Sequence, residues 1–357
     1  MFENQLIDYD GQYFRLKRSE ISPSQIENAV LLECHLSGLC GTDVRMIRGE
    51  RECKTTIIGH EATATVVANP LGYGNFKSGD RVFINPNAGP KTLTRGHLGH
   101  DRPGLFQKYI SFDAADCESH LTCKIPDSLD ERQALFLEPL SCAAHTLDKL
   151  YPDCLHQRVL LFGAGSLALA HTHILAMAGV EKENIFVCNR NRERAEYLAV
   201  AGGLPGKNIV CLTDAERLLA VQPQICLLLN SNADTYIHEA LETVADGGTI
   251  LIFGGIANSS VVHLDNNLKA DLLDVRLNES RVHAAYQGKR VILQGSRGFK
   301  DRDTLYALDL LQASHLPMPE FIGNTLSPSE FTQLLNNLSD PAQPVPAGKQ
   351  VCNFGAG

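Results

Sequence analysis

The sequence lacks a basic excess: 32 Lys and Arg stand against 41 Asp and Glu, for a formal charge of −9. That balance argues against a phosphate-backbone partner, and no run interleaves basic residues with aromatics. No nucleic-acid partner is expected. Long apolar runs are also missing. The most apolar stretch, Leu167 to Gly179, is short and interrupted by His171, Thr172 and His173, so it does not suit a bilayer span. The opening residues carry acids where a secretory leader carries bases. A soluble, cytoplasmic protein with no membrane partner is the expectation. No Cys-x-x-Cys pair occurs among the 11 cysteines, whose odd number and wide scatter are not a disulfide framework and suit a reducing compartment. Most read as small buried hydrophobes. Internal repeats and low-complexity tracts are absent.

What is present is ordinary globular composition, 44% apolar and 20% charged, over 357 residues. That length exceeds what one core usually supports and suggests two domains. The first third alternates with period two, as in Val30, Leu32, Cys34 and Leu36, and again in Ala62, Ala64, Val66 and Ala68. Short runs such as Arg81–Ile84 and Phe106–Ile110 lie between Gly, Pro and Asn clusters, which predicts a compact β-domain. From about Arg158 the pattern changes to apolar strands separated by helical stretches: 158–162, 185–188, 209–211, 225–229 and 249–253. Such alternation predicts a parallel sheet with crossovers. A less regular stretch, 258–289, includes a helical segment at 271–276, then a strand at 291–294 and a helix from about Arg302 to Ala313. The expected division is 1–147 for the β-rich domain, 148–297 for the parallel-sheet domain, and 298–357 as a return to the first.

Gly163-x-Gly165-x-x-Ala168 follows a predicted strand and opens a predicted helix. The first glycine permits a tight turn, the second lets backbone approach a pyrophosphate, and the third position needs only a small residue. Ser166 and Leu167, in the first turn, would present backbone N–H groups to the phosphates. The plainer reading is an ordinary strand–helix turn. At the end of the next strand an acid would hold the ribose 2′-hydroxyl of NAD, but Asn189 stands there with Arg190 after it. A neutral side chain removes repulsion against a 2′-phosphate and a guanidinium can pair with it, so NADP(H) is favoured over NAD(H). Alternatively, Arg190 and Arg192 cover a helix N-terminus or stack on adenine.

A second cluster joins Cys40-Gly-Thr-Asp43, Gly59-His-Glu61 and Glu138-Pro139. A thiolate, an imidazole and carboxylates are zinc donors, and a catalytic site keeps one position open. Taken singly, Cys40 reads as a core thiol, His60 as a satisfied core histidine, Glu61 as a surface acid and Glu138 as a helix N-terminal acid.

These motifs, with Gly79-Asp-Arg-Val82, Leu137-Glu-Pro-Leu140 and Gln294-Gly-Ser-Arg-Gly298, resemble the zinc-containing medium-chain dehydrogenase/reductase family, most closely its sorbitol (polyol) and threonine dehydrogenase branch. The resemblance implies an α/β protein: a GroES-like β-rich catalytic domain plus a Rossmann doubly wound coenzyme domain. It implies direct zinc ligation by Cys40 and His60, ligation by Glu61 directly or through water, and Glu138 as a movable ligand or holder of the zinc water. Thr42 would start a proton relay from the substrate oxygen, and Asp43 would orient its loop. Zinc-dependent hydride transfer between a nicotinamide dinucleotide and a secondary alcohol or ketone of a polar small molecule (a polyol, sugar, cyclitol or amino alcohol) follows as the expected activity. A homodimer or homotetramer is implied, with strand 249–253 near the subunit interface.

Two departures from the family stand out. The cysteine-rich loop that holds a structural zinc corresponds to 85–104, which has no cysteine, so one catalytic zinc and no structural zinc are expected. His97 and His100 in that loop read as a surface segment rather than a metal pair. Arg45 replaces the relay histidine; its pKa is too high for shuttling, and it is read as a substrate-binding group for an anionic or highly hydroxylated part. Two rival readings are a zinc-free NADPH-dependent quinone or enone reductase of the same superfamily, and a non-catalytic dinucleotide-binding protein.

Overall fold

The computed structural model describes residues 2–87, 96–314 and 316–355. The chain folds as two compact units: Met1–Glu138 with Leu308–His315 and Ile322–Gly357, and Pro139–Ala307 with Leu316–Phe321.

In the first unit, a hairpin of Phe2–Tyr9 and Phe14–Ile21 precedes a seven-stranded sheet. The path across that sheet runs Ile322–Leu326, Lys349–Asn353, Val30–Gly38, Glu61–Ala68, Arg81–Ile84, Leu121–Lys124, with Tyr109–Phe112 also paired to Val30–Gly38. All its pairings are antiparallel except that of Ile322–Leu326 with Lys349–Asn353. The alternating residues named above, Val30, Leu32, Cys34, Ala62, Ala64 and Val66, share one core cluster with Phe112 and Leu121. Period-two patterning has done what half-buried strands require. The predicted run Phe106–Ile110 is corrected: the strand is Tyr109–Phe112. Phe106 instead lies in a connection whose main chain donates to Ile58 and accepts from Ile7, outside any long ladder. Its ring packs at 5.0 Å against Phe331, on a helix, Pro328–Leu338, started by a Ser327/Glu330 capping box with Pro at N1/N2.

The second unit is built on seven strands in the order Ile209–Cys211, Ile185–Asn189, Val159–Phe162, Ile225–Leu228, Gly248–Ile252, Lys289–Gly295, Arg281–Tyr286. The first six run parallel and the last is an antiparallel edge. Counted along the chain, the parallel strands stand 3-2-1-4-5-6, the doubly wound order whose direction of winding reverses beside Val159–Phe162. Val159–Phe162 and Ile225–Leu228 are buried at every position, as expected of strands covered on both faces. Asn191, Asp214 and Asp271 cap the helices that follow them by accepting from Arg194, Arg217 and Asp274 N–H groups.

The irregular stretch resolves into a small antiparallel pair, Val261–His263 with Lys269–Asp271, the helix Leu272–Leu277, and the edge strand Arg281–Tyr286. Strand Gly248–Ile252 is an interior strand with neighbours on both sides, so it offers no free edge for pairing with a second copy. Among the described residues no helix is long and apolar enough to cross a membrane.

Candidate active site

Cys40 lies two residues past strand Val30–Gly38 and is the N-cap of the short helix Gly41–Ile47. Its own N–H donates to Asp43 Oδ2 at 2.9 Å. Asp43 is completely buried, and its other oxygen lies 3.3 Å from His60 Nδ1, close enough for an ion pair although the two atoms are not aligned as a hydrogen bond. One carboxylate therefore fixes both the backbone that carries the sulfur and the ring that follows Gly59. This is the arrangement of an acid that orients a metal-holding histidine. His60 leads directly into strand Glu61–Ala68, which places Glu61 beside it.

The Cys40 sulfur, a His60 ring nitrogen and a Glu61 oxygen all lie within 4.8 Å of one another. Among the described residues this is the only group of three or more His, Cys, Asp or Glu side chains so placed. Sulfur, nitrogen and oxygen donors converging in this way fit zinc with one position left over. Asp43 Oδ1 and His60 Nδ1, buried without an aligned hydrogen bond, face each other at 3.3 Å. Burial pushes the Cys40 thiol above its ordinary pKa, with His60 pulling the other way. Burial opposes charge on His60, yet the Asp43 carboxylate and the Cys40 sulfur raise its pKa well above the usual value. An incoming cation would have to displace both protons.

Sequence reasoning missed Lys349. Its side chain is wholly buried, and Nζ donates to Glu61 Oε2. The ammonium also stands 5.7 Å from the centre of the Phe136 ring. Burial disfavours this charge, but Glu61 and Cys40, with Glu138 contributing less, raise its pKa above the lysine norm. Gly38 makes the space: a Cβ there would stand 2.2 Å from Lys349 Cε. The only signal was a lysine next to Gly348 at the start of the short return strand Lys349–Asn353.

Glu138 opens helix Leu137–Leu150, half-buried, and is outside the three-residue group. Thr42 sits half-buried on the first turn after Cys40. Arg45 is buried, with Nη2 donating to the Glu50 carbonyl at 3.2 Å and Nε 3.8 Å from the Glu50 carboxylate. His100 is not on a free surface segment, as expected from sequence. It is half-buried, and its ring meets that of His60 edge-on at 5.3 Å, with His97 5.9 Å away. Burial, then His60, Arg51 and His97, push its pKa down to about 2. Part of the 85–104 loop, residues 88–95, lies outside the described residues, so the expected absence of a structural zinc is not addressed for them.

In the second unit, the turn after Val159–Phe162 has Gly163 at φ +127°, a conformation suited to glycine, and Gly165 as N-cap of helix Ser166–Met177. A Cβ at Gly165 would meet nothing within 4 Å, so the turn leaves space beside the start of this helix, at the reversal in strand order. Asn189 closes strand Ile185–Asn189 and donates to Asn191 O at 2.8 Å. The Arg190 guanidinium rests 5.0 Å from the centre of the Tyr236 ring, while Arg192 pairs with Glu196 at 2.8 Å.

A doubly wound coenzyme-binding unit and a β-rich unit with a zinc-type donor set define a class of two-unit α/β proteins. Comparison narrows it. Residues 26–126 match the family described as the alcohol dehydrogenase GroES-like domain. L-Threonine 3-dehydrogenase of Pectobacterium atrosepticum is 26% identical over 252 residues, 65% of this chain and 67% of that protein. Sorbitol dehydrogenase of Gallus gallus is 27% identical over 254 residues, 65% of this chain and 70% of its own length. The crystal structure of galactitol-1-phosphate dehydrogenase from Escherichia coli superposes with a TM-score of 0.72 at 19% identity, over 99% of this chain and 100% of that one. The chain thus matches the alcohol dehydrogenase GroES-like domain over residues 26–126 and is similar, at 26% and 27% identity, to a threonine and a sorbitol dehydrogenase.

Proposed function

We propose that this chain is a zinc-dependent dehydrogenase that moves a hydride between a CH–OH group of a polar small molecule and a nicotinamide dinucleotide, NADP(H) ahead of NAD(H). The convergence of Cys40, His60 and Glu61 within 4.8 Å carries this reading. When bound, zinc would supply Lewis acidity to the substrate oxygen, and the nicotinamide would give or accept the hydride.

The chain's own residues divide the remaining work. Cys40 and His60 hold the ion, with Glu61 as the third donor and Glu138 as an acid near Lys349 that can exchange into the set. Asp43 orients His60 and the Cys40 backbone, and Lys349 holds Glu61 in place. The Thr42 hydroxyl, on the turn next to Cys40, takes the proton released from the substrate oxygen; such a relay needs a hydroxyl within hydrogen-bond reach. Gly163 and Gly165 admit the pyrophosphate to the Ser166 and Leu167 N–H groups. Asn189 and Arg190 favour a ribose that carries a 2′-phosphate. Arg45 contributes positive charge near the substrate. The assembly is a homodimer or homotetramer in the cytoplasm.

The test is a turnover screen of hydroxylated substrates with NADP and NAD side by side, together with metal analysis of the protein and of Cys40→Ser. Loss of zinc and activity together is the expected result. Full turnover by demetallated protein overturns the mechanism. NADPH binding without turnover of any alcohol or ketone would point to a non-catalytic relative instead.

A further inference from the structure

Three arginines follow one another at Arg45, Arg48 and Arg51, and the first two donate to backbone carbonyls of the protein. Arg45 is held by Glu50, and Arg48 donates to the Leu338 and Gln343 carbonyls at 3.2 and 2.7 Å. Arg51 differs. Its one hydrogen-bond contact among the described residues is between Nη2 and His100 Nδ1 at 3.4 Å, and no carboxylate there forms an ion pair with it. Glu50 and Glu52 flank it in sequence, yet Glu50 turns to Arg45 and Glu52 stands exposed. Arg51 is itself half-buried, and burial together with repulsion from Arg45 disfavours its charge more than Cys40, Asp101 and Asp43 favour it. A guanidinium partly withdrawn from water without a direct ion pair is destabilising, and neither neighbouring glutamate supplies one.

The location of this unpaired guanidinium is specific. His100, which Arg51 touches, packs edge-on against His60 at 5.3 Å. The guanidinium is thus one imidazole removed from the Cys40, His60 and Glu61 donors. We propose that Arg51 is a specificity-determining residue that binds the anionic group of the substrate, so that the preferred substrates are hydroxyl-bearing organic anions rather than neutral alcohols. The planar fork of a guanidinium matches two oxygens of a phosphate monoester or of a carboxylate equally well. Arg45, already turned to Glu50, adds long-range attraction and is a weaker candidate for direct contact. This inference rests on the dehydrogenase reading for the reacting group and adds the charge of the rest of the molecule.

The experiment compares one carbon skeleton in three forms: the neutral polyol, its phosphate monoester, and the corresponding hydroxy acid. Each is assayed with zinc-loaded full-length protein, Arg51→Met and Arg51→Lys. Charged hydrogen bonds of this kind correspond to about a tenfold to hundredfold change. The wild type is expected to favour one anionic form by that factor in kcat/KM. Arg51→Met should lose the preference mainly through a rise in KM for the anionic form, bringing it towards the neutral alcohol, and Arg51→Lys should recover part of it. Whether the ester or the acid is preferred identifies the anionic group. A second arm measures inorganic phosphate binding to the zinc-loaded proteins by calorimetry, with weaker binding expected for Arg51→Met. Equal use of neutral and anionic substrates overturns the role of Arg51 and leaves the dehydrogenase reading standing. If no form is turned over, the dehydrogenase reading fails, and the phosphate arm still decides whether Arg51 binds anions: unchanged affinity in Arg51→Met overturns it.

Discussion

Each unit holds a buried cluster of charge, and the two are built to opposite ends. In the second unit His145 bonds Asp303 through Nδ1 and Glu279 through Nε2, both at 2.8 Å, and Lys149 closes on Glu279 at 3.1 Å. Backbone N–H groups of Lys300 and Arg297 complete the two carboxylates. Both ring nitrogens of His145 are used within the protein, and the cluster ties three separate chain segments together. The first unit's cluster is not closed in this way. Asp43 Oδ1 and His60 Nδ1 lack aligned hydrogen bonds, and Cys40, His60 and Glu61 point donor atoms at a common space. Buried polar groups that satisfy one another stabilise a fold; groups that converge without doing so prepare a place for something else.

The sharpest test of that contrast removes one member from each cluster. In the open cluster, His60→Ala or Cys40→Ser should abolish zinc binding and lower turnover by about a thousandfold or more, roughly 4 kcal/mol of transition-state stabilisation. Stability of the metal-free protein should change much less. In the closed cluster, His145→Leu leaves the buried Asp303 without its imidazole partner and Glu279 with Lys149 alone, and about 3 kcal/mol of stability should be lost. Calorimetric melting together with zinc analysis reads both outcomes. If His145→Leu released zinc, or His60→Ala lowered the melting temperature as far as His145→Leu does, the distinction between the clusters would be broken.

Lys349 lies between these extremes, because it is a closed ion pair inside an open site. Lys349→Met should weaken zinc affinity or activity about tenfold to hundredfold, the range for outer partners of metal ligands. Lys349→Arg keeps the charge, and competition with a zinc chelator measures the difference. Retention of full affinity in Lys349→Met would make the lysine a packing element only.

The closed cluster also carries a pH signature. His145 has its pKa raised: burial opposes the shift, but hydrogen bonds to Asp303 and Glu279 outweigh it. A group raised in the folded state contributes its full stability below the unfolded value, about 6.5, and loses it as pH climbs through the folded value. Asp303 and Glu279 are lowered, so their contribution is present above the ordinary carboxylate range and lost as pH falls through their folded values. The wild type should therefore lose stability as pH rises above about 6.5, with a slope that His145→Leu lacks. Parallel slopes in urea unfolding at several pH values would remove His145 as the source.

How much of this was legible follows from the range of each interaction. The parallel strands were readable because both faces are covered, leaving contiguous apolar runs such as Val159–Phe162. Cys40, His60 and Glu61 were readable as types, because few other roles call for those residues in those short motifs. Lys349 was not, since its partner lies 288 positions away and a lysine ordinarily reads as surface. The same holds for His100, whose half-buried place against His60 depends on how a loop returns. Strand Arg281–Tyr286 escaped for a local reason: its hairpin turns through Gln287 and Gly288, with φ +51° and +80°, in place of the usual Asn-Gly signal, and its edge is only half-buried.

The smallest expected effect concerns the coenzyme turn, where Asn189 and Arg190 replace an acid. The Arg190 guanidinium lies on Tyr236 at 5.0 Å, on the exposed side of the strand end. Stacking of this kind limits the directions in which the charge can point, but it leaves the fork's edge N–H groups available to a phosphate. If Arg190 pairs with a 2′-phosphate, Arg190→Ser should raise KM for NADP about tenfold, near 1.4 kcal/mol, while KM for NAD stays the same. Tyr236→Leu should reproduce a fraction of that loss, because it frees the guanidinium without removing it. Equal changes for both coenzymes in Arg190→Ser would mean that the arginine serves the adenine or the helix end, and the preference would then rest on Asn189 alone.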